Sequence, residues 1–186
     1  MAVIPVQRTW AIGEIVSASE LNSNIRDAIN FLLATPRCEL TNSTSFTVGG
    51  NAVSVLVNFD TTLTDTDSMH PSSGARITAN TAGLYECWAQ IHFPFLNNAA
   101  NSIGAGVFLT KDDGGTFTNQ VVEANDFRRI SQNSGLGTSS YVSKDIYLNV
   151  GDYVSLWGMQ NTGSSMTTNG GGIFYIHLAA QWVAST

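Results

Sequence analysis

Acid–base or nucleophilic chemistry in this chain would fall first to its three histidines, His70, His92 and His177. The sequence has no Gly-x-Ser-x-Gly, no His-Glu-x-x-His and no phosphate-binding loop, the motifs that place such groups in a working site. A Ser-His-Asp set can be assembled on paper from any serine-rich chain, so the histidines alone define no site. The sequence therefore predicts a protein that is not an enzyme.

Two groups of aspartates have the oxygen ligands that calcium prefers, Asp60, Asp65 and Asp67 in one and Asp112 and Asp113 in the other. Neither group has the spacing of a dedicated calcium loop. Aspartates are also common in turns, where they hydrogen-bond to nearby backbone. We expect no cofactor and no metal site, with calcium as the one ion that the aspartates would suit.

Composition narrows the class of protein. Charged residues are 12% of the 186 residues, about half the usual share. The net charge is −6 and no basic stripe is present, which excludes binding to nucleic acid through its phosphates. The sequence shows no secretory signal and no apolar run of the ~20 residues that span a bilayer. We expect synthesis in a reducing cytoplasm, with Cys38 and Cys87 as free thiols and Cys87 in the core.

One amphipathic helix is predicted near the start of the chain, at residues 17–34. Ser17 and Glu20 form a capping box, and Pro36 ends the helix. A seam of apolar residues with heptad-like spacing is formed by Leu21, Ile25, Ala28 and Leu32. Ile29 and Leu33 widen this seam. Because a lone helix cannot bury such a seam, it must either pack on its own β domain or meet copies of itself.

The segment before the helix, residues 1–16, reads as an extended arm, since Pro5 and Gly13 interrupt any regular element. It carries large apolar side chains, among them Val6, Trp10, Ile12 and Ile15. An arm of this kind is expected to pack onto something.

Nearly everything after Pro36 reads as strand and turn. Strands are predicted at residues 52–60, 76–79, 83–95, 104–110, 119–123, 140–149, 153–160 and 172–184, separated by turns rich in Gly, Asn and Asp. This pattern predicts an antiparallel sandwich or barrel.

Two of these strands pair an apolar face with a second face that is neither plain core nor plain solvent. In residues 85–93 the odd positions are apolar, while the other face carries Trp88, Gln90 and His92. In the last strand the even positions from Phe174 to Trp182 are apolar, while the other face carries Tyr175, His177 and Gln181. Such mixed faces suit a subunit interface, where amphipathic rings are buried and their polar ends find partners.

Four segments of the chain carry a resemblance to a known family: Val57-Asn58-Phe59-Asp60, 83–93 (Gly-Leu-Tyr-Glu-Cys-Trp-Ala-Gln-Ile-His-Phe), 148–156 (Leu-Asn-Val-Gly-Asp-Tyr-Val-Ser-Leu) and 172–178 (Gly-Ile-Phe-Tyr-Ile-His-Leu). In this order they resemble strands of the tumour necrosis factor and complement globular-head superfamily. The resemblance spans residues 38–184. It implies a ten-strand jelly roll assembled as a tight homotrimer, with the second and fourth segments in the inner sheet. Trp88, Gln90, His92, Tyr175, His177 and Gln181 would then lie at the trimer interface. There His92 and His177 would bind a metal or, alternatively, make interface hydrogen bonds.

The N-terminal part carries a second resemblance, in residues 9–22 (Thr-Trp-Ala-Ile-Gly-Glu-Ile-Val-Ser-Ala-Ser-Glu-Leu-Asn) and 25–32. These residues are similar to the start of many tailed-bacteriophage virion proteins. In those proteins a Trp-x-x-Gly-Glu-x-Val-x-Ala segment and a short helix precede a variable C-terminal domain. The resemblance implies that the arm attaches to the particle, while the C-terminal domain projects.

Three loops are candidates for recognising a host surface, at residues 96–103, 125–138 and 161–171. Their Asn, Ser and Thr side chains suit hydrogen bonding to sugars, but equally suit any exposed loop. The Arg pair beside Phe127 would contact an acidic glycan, or else belong to a solvated loop or an interfacial salt bridge. The candidates are Asn97, Asn98, Asn101, Phe127, Arg128, Arg129, Asn161, Ser164, Ser165 and Asn169.

Together these patterns predict a homotrimeric phage virion protein located in the tail tip or tail fibre. Residues 1–35 would form the anchor and helix, and residues 36–186 a projecting mainly β jelly roll that engages the host surface. Its partners would be its own copies, other virion proteins held by the arm, and a host glycan or protein. The alternatives are a head fibre or capsid decoration protein with the same trimeric domain and, more remotely, a soluble carbohydrate-binding jelly roll.

Overall fold

The computed structural model describes residues 8–50, 52–71, 73–94, 104–111, 121–129, 137–168 and 176–185. The predicted helix is present as three consecutive pieces: α1 (Ala18–Leu21), a π-helical turn (Asn22–Arg26) and α2 (Asp27–Leu33). Together they are called the N-terminal helix below. Among the described residues, no helix has the length and apolar character to cross a membrane.

The capping box is confirmed at the start of the N-terminal helix. The Ser17 hydroxyl accepts a hydrogen bond from the Glu20 backbone N–H at 3.3 Å, and the Glu20 carboxylate accepts one from the Ser17 N–H at 2.8 Å. The helix ends at Ala34, which leaves helical geometry with φ −136° two residues before Pro36.

The rest of the described chain is built from antiparallel strands, as predicted. The strands are β1 (Arg37–Thr41), β2 (Thr47–Val48), β3 (Val55–Leu56), β4 (Thr61–Asp65), β5 (Arg76–Thr78), β6 (Gly83–Phe93), β7 (Gly104–Lys111), β8 (Val121–Arg129), β9 (Thr138–Leu148), β10 (Tyr153–Gln160), β11 (Met166–Thr167) and β12 (Ile176–Ala184). The first sheet has the order β4-β1-β12-β6-β9. The second has the order β3-β10-β7-β8, with β5 also paired to β10, and β2 and β11 form a small third sheet.

The core lies between the two large sheets and follows the predicted alternation. Tyr85, Cys87, Ala89, Ile91 and Phe93 of β6 are all fully buried. Cys38 on β1 and Cys87 on β6 point into the same core as free thiols, as expected. Burial raises the pKa of the Cys38 thiol to about 12, so it stays protonated and unreactive at neutral pH.

The strand register separates two ends of the sandwich. At one end, called the loop end, β6 stops opposite the start of β9, β8 stops opposite the start of β7, and β10 stops at Gln160 opposite Ala105. At the other, called the helix end, β6 begins at Gly83 opposite Leu148, and β1 begins directly after the N-terminal helix. The N-terminal helix therefore joins the sandwich at the helix end, opposite the end at which β6, β8 and β10 stop.

Strand β8 corrects one prediction. It continues to Arg129, so Phe127, Arg128 and Arg129 lie in a strand and not in a loop that begins at residue 125. Phe127 is opposite Gly106, where an added Cβ would come within 2.7 Å of its ring, so the glycine makes room for it. The Asp126 carboxylate accepts a hydrogen bond from the Tyr141 N–H at 3.0 Å, which joins the edges of the two sheets. The polar residues at the end of β8 therefore belong to a strand that joins the two sheets, although their composition is typical of a turn.

Candidate functional site

The first candidate surface is the side of the first sheet that faces away from the core, called the outer face below. Side chains from four strands lie on it in two adjacent rows. The first row is Glu39, Ala179, Trp88 and Ser143, and the second is Thr41, His177, Gln90 and Tyr141.

Hydrogen bonds hold the side chains of the outer face in place. His177 Nε2 lies 2.9 Å from Glu39 Oε1, and Glu39 Oε2 accepts a hydrogen bond from Arg37 at 2.7 Å. The centroids of the Trp88 and His177 rings lie 6.3 Å apart, so the indole is a neighbour of this network. The charges of Arg37, Glu39 and His177 are therefore grouped within one copy, whereas the carboxylates of Glu86 and Asp145 are exposed opposite each other on the same face.

The sequence-predicted interface residues Trp88, Gln90, His92, His177 and Gln181 are brought together on the outer face. Their assignment to a subunit interface stays a prediction, and Tyr175 lies outside the described residues.

The two histidines of this face have separate partners within one copy. His92 Nδ1 lies 3.0 Å from the Ser139 hydroxyl, whereas His177 contacts Glu39. Partial burial lowers the pKa of His92, which favours the neutral ring. Among the described residues, no three His, Cys, Asp or Glu side chains are grouped to hold a metal ion.

Two tyrosines of the outer face were missed in the sequence. Tyr141 and Tyr147 on β9 are 48% and 39% exposed in a single copy, beside the half-buried Trp88 of β6. The signal was available, because residues 138–148 alternate and the odd positions carry both rings. The outer face is therefore richer in aromatic residues than the β6 and β12 strands alone indicate.

The N-terminal helix supplies a second apolar surface. Of its residues, Phe31 alone is buried, with its ring edge-to-face on Trp182 of β12 at 4.9 Å. Five other large apolar residues of the helix are between 44% and 80% exposed and are called the helix stripe below: Leu21, Ile25, Ile29, Leu32 and Leu33. Ala28 of the predicted seam is half-buried. The contact between Phe31 and Trp182 thus tethers the helix to its own sandwich, and the helix stripe is left exposed.

The arm folds back on the helix start through Arg8. The Arg8 guanidinium bonds both Glu14 and Glu20 and lies over the Trp10 ring, 4.5 Å from its centroid. Gly13, with φ +80°, occupies the turn from Ala11 to Glu14, whose backbone groups are bonded at 3.2 Å. The hydrogen bond from Arg8, with others from Ser17, holds the pKa of Glu20 at about 2.

This arrangement presents the predicted anchor residues to the outside. Ile12 is fully exposed and Ile15 is 94% exposed, while Trp10 is 37% exposed beside Arg8. Val6 lies outside the described residues. With the charges of the arm paired among themselves, its outward surface is apolar.

Replacing Arg8 with Ala is expected to loosen the arm without unfolding the sandwich. The variant loses both carboxylate contacts and the Trp10 stacking, whereas the core lies elsewhere. Limited proteolysis should cut residues 8–16 several-fold faster, with the thermal midpoint unchanged within about 2 °C. Arg26→Ala is the matched control, because Arg26 pairs with its neighbour Asp27 on the exposed helix surface. Equal cleavage rates in the two variants would contradict the clamp.

The described part of the candidate recognition loops lies at the loop end. Asn161, Ser164 and Ser165 follow β10 and are exposed. Arg128 donates a hydrogen bond to Asp126 at 2.7 Å, and Phe127, 45% exposed, packs edge-to-face on Phe108 at 5.1 Å. Asn97, Asn98, Asn101 and Asn169 lie outside the described residues, as does the Arg129 side chain.

The aspartates considered for calcium accept hydrogen bonds within their own loops. Asp60 accepts bonds from Ser43 and Thr44, and Asp65 accepts them from the backbone N–H groups of Met69 and His70. Asp67 accepts one from Thr81 at 2.8 Å. These are the contacts of turn aspartates. Asp112 and Asp113 lie outside the described residues.

Asp60 gives the fold an acid-sensitive contact. Partial burial opposes ionisation, but hydrogen bonds from Ser43, Thr61 and Thr44 outweigh it and lower the pKa of Asp60 from 3.8 to about 2. Because the folded pKa is the lower one, the contribution is present above pH ~4 and is lost as pH falls toward 2. Asp60→Asn should therefore flatten the fall of the thermal midpoint between pH 4 and pH 2. Equal slopes for Asp60→Asn and the unmodified chain would refute this role.

Solved structures with similar architecture are known. Eiger, a tumour necrosis factor of S. frugiperda, matches with a TM-score of 0.56 and 13% identity, over 81% of this chain and 95% of that one. Murine APRIL at pH 8.0 matches with a TM-score of 0.55 and 11% identity, over 80% of this chain and 98% of that one. The chain has a tumour necrosis factor-like jelly-roll fold. The globular domain of zebrafish complement 1qA matches with a TM-score of 0.49 and 10% identity, over 82% of this chain and all of that one.

The tumour necrosis factor-like fold confirms the jelly roll that the sequence predicted, and β6 and β12 are adjacent in its first sheet. At 11–13% identity the likeness extends to the fold alone. No protein-family model matches the chain, and no curated protein matches it.

Proposed function

We propose that this chain is a non-enzymatic, homotrimeric structural protein of a tailed-phage virion, a tail-tip or tail-fibre component that engages the host surface. The observation that carries the self-association is the set of large apolar side chains left exposed along the helix stripe, together with the exposed rings of Tyr141 and Tyr147 on the outer face. Exposed apolar clusters mark interaction surfaces.

A second and third copy would cover both surfaces at once. The Arg37, Glu39 and His177 side chains of the outer face already bond to one another within one copy, so their burial would break no contact with solvent that lacks a replacement. Glu86 and Asp145, exposed opposite each other on the same face, would lie at the polar rim of the interface. The helix stripe lies on the side of the helix not used by Phe31, so three helices can meet without giving up the contact with Trp182. The stripe runs from Leu21 to Leu33, about two heptads, which is too short to hold a trimer by itself, so the helices would continue an assembly made by the sheets.

The placement of the two ends supports an attachment role. The arm and helix join the sandwich at the helix end, and β10 delivers Asn161, Ser164 and Ser165 at the loop end. A particle-bound arm would therefore point the loops outward. Three copies on one axis would make weak sites useful, because binding at one raises the effective concentration at the others.

The virion assignment rests on the resemblance of residues 9–32 to the start of phage virion proteins. The clamped arm supports it, since Ile12 and Ile15 are exposed in a segment whose charges are paired. A head fibre or capsid decoration protein would use the same trimer and arm. A soluble carbohydrate-binding jelly roll would leave the arm without a partner.

Electron microscopy of particles made from the genome that encodes the chain would test the assignment, with a label at the C-terminus. Label at the tail supports the proposal, and label over the capsid establishes the head-fibre alternative. Absence of the chain from purified particles by mass spectrometry would overturn the virion role and leave the soluble protein.

A further inference from the structure

The buried amide of Gln160 joins two segments at the loop end. Gln160 is fully buried at the last position of β10. Its Nε2 lies 3.1 Å from Val48 O, 2.9 Å from Gly49 O and 2.8 Å from Ser164 O, and its Oε1 accepts a hydrogen bond from the Thr162 N–H at 2.7 Å. The amide nitrogen and the amide oxygen of Gln160 thus both bond to backbone groups. A buried side-chain amide is costly unless both of these groups have hydrogen-bond partners.

The two segments are also in close contact. A Cβ added at Gly50 would lie 2.9 Å from Ser164 N, so the backbones at 50 and 163–164 pack against each other directly. Thr162 Oγ1 donates to Ser164 O at 2.7 Å, and the Ala52 N–H donates to Gln160 O at 3.0 Å. Residues 49–50 and 160–164 therefore form one unit, which together with the adjoining Ser165 is called the Gln160 platform below.

The surface of the Gln160 platform is polar and uncharged. Asn161, Ser164 and Ser165 are exposed on it, and the nearby Thr47 and Thr167 hydroxyls lie 3.1 Å apart on the adjoining β2–β11 pair. No Asp, Glu, Lys or Arg occurs at residues 42–59 or 153–186, the two stretches that build this region. The surface offers amide and hydroxyl groups without a charge to bind an anion.

We propose that the Gln160 platform is a binding site for a neutral carbohydrate and that Gln160 is its positioning residue. Sugar hydroxyls match side chains that both donate and accept hydrogen bonds, as Asn and Ser do. An acidic glycan would need free cationic groups, and among the described side chains at the same end Arg128 is already bonded to Asp126. A rigid backbone keeps the hydroxyls in register, so that less entropy is lost on binding.

The proposal rests on the attachment role and names its ligand class. Saturation-transfer NMR on the purified full chain would test it, with a panel of neutral gluco-, galacto- and manno-oligosaccharides and their sulfated counterparts as probes. We expect binding within the neutral set, and about tenfold weaker binding when Asn161 and Ser165 are both changed to Ala, since two hydrogen bonds are lost.

Two variants test the positioning role. Gln160→Glu places a carboxylate oxygen against three carbonyls. Thr162→Val is a milder change that removes the two bonds of the Thr162 hydroxyl with Ser164, one to its carbonyl and one from its N–H. Both should weaken carbohydrate binding and raise amide exchange at residues 49–53 and 161–165 alone. Val107→Ala is the control, because it truncates a fully buried core residue outside the platform and should lower stability while keeping the affinity.

Several results would overturn the inference. These are binding of sulfated probes only, binding of no probe, or unchanged affinity in the Thr162→Val and Asn161→Ala/Ser165→Ala variants. If the Asn161→Ala/Ser165→Ala protein still adsorbs to host cells like the unmodified chain, the platform is not the attachment site although the attachment role stands. Failure of the unmodified chain to adsorb at all would instead count against the attachment role.

Discussion

Tyr141→Glu is expected to convert the proposed trimer into folded monomers. Tyr141 is 48% exposed in one copy, so the substitution should leave the sandwich intact, with its near-UV circular dichroism and thermal transition retained. A copy that covers the outer face also covers position 141, where each uncompensated buried carboxylate costs about 3–5 kcal/mol. Since every ~1.4 kcal/mol is a factor of ten, sedimentation velocity at micromolar concentration should show only monomer.

Phe127→Glu is the matched control for this change. Phe127 is 45% exposed, also aromatic and also within a strand, but it lies on the second sheet. This variant should remain trimeric. Loss of the trimer in Phe127→Glu, with retention in Tyr141→Glu, would place the subunit interface on the opposite sheet.

Gly83→Ala is expected to destabilise the helix end severely. A Cβ at position 83 would overlap the Trp182 ring and lie 2.7 Å from Ala184 O. Trp182 cannot retreat easily, because its Nε1 donates to Ala82 O at 3.2 Å and Phe31 packs on its ring. Overpacking of this kind costs about 3 kcal/mol, which for a chain of this size lowers the thermal midpoint by roughly 6–12 °C.

The position of Trp182 makes this a test of the helix tether as well as of stability. If Trp182 is displaced, Phe31 loses its contact, and residues 27–33 should exchange amide hydrogens faster than in the unmodified chain. Gly49→Ala is the control, since an added Cβ there meets only the Val53 side chain at 4.0 Å. A midpoint for Gly83→Ala within 2 °C of the control would contradict the packing described at this end.

The sequence was most informative where a strand alternates without interruption. The odd positions of β6 are buried and its even positions form part of the outer face, as the pattern from Tyr85 to Phe93 predicted. The capping box at Ser17 and Glu20 likewise predicted the start of the helix. Strand alternation and helix capping can both be read from the sequence because each depends on residues that are close together in the chain.

The sequence was least informative where polar residues form strands through distant partners. β1 carries Arg37 and Glu39 and was not predicted as a separate strand, because its pairing with β12 joins residues far apart in the chain. β4, with the sequence Thr-Thr-Leu-Thr-Asp, was missed for a similar reason. The organising role of Gln160 could not be inferred, since its partners at 48 and 49 lie more than a hundred residues away.

The helix illustrates what a pattern leaves open. Its spacing predicted a seam but not which surface would cover it. The structure shows that its own sandwich takes Phe31 and leaves Leu21, Ile25 and Leu32 exposed. The helix stripe thereby becomes available to other copies, and the arm before it is held in place by Arg8.

Self-association is the central claim, and light scattering on the unmodified chain tests it most directly. With size-exclusion chromatography at 1–100 µM, the account predicts one species of three times the 19.9 kDa chain mass across the whole range. A stable monomer at these concentrations, with the outer face and helix stripe open to solvent, would contradict it.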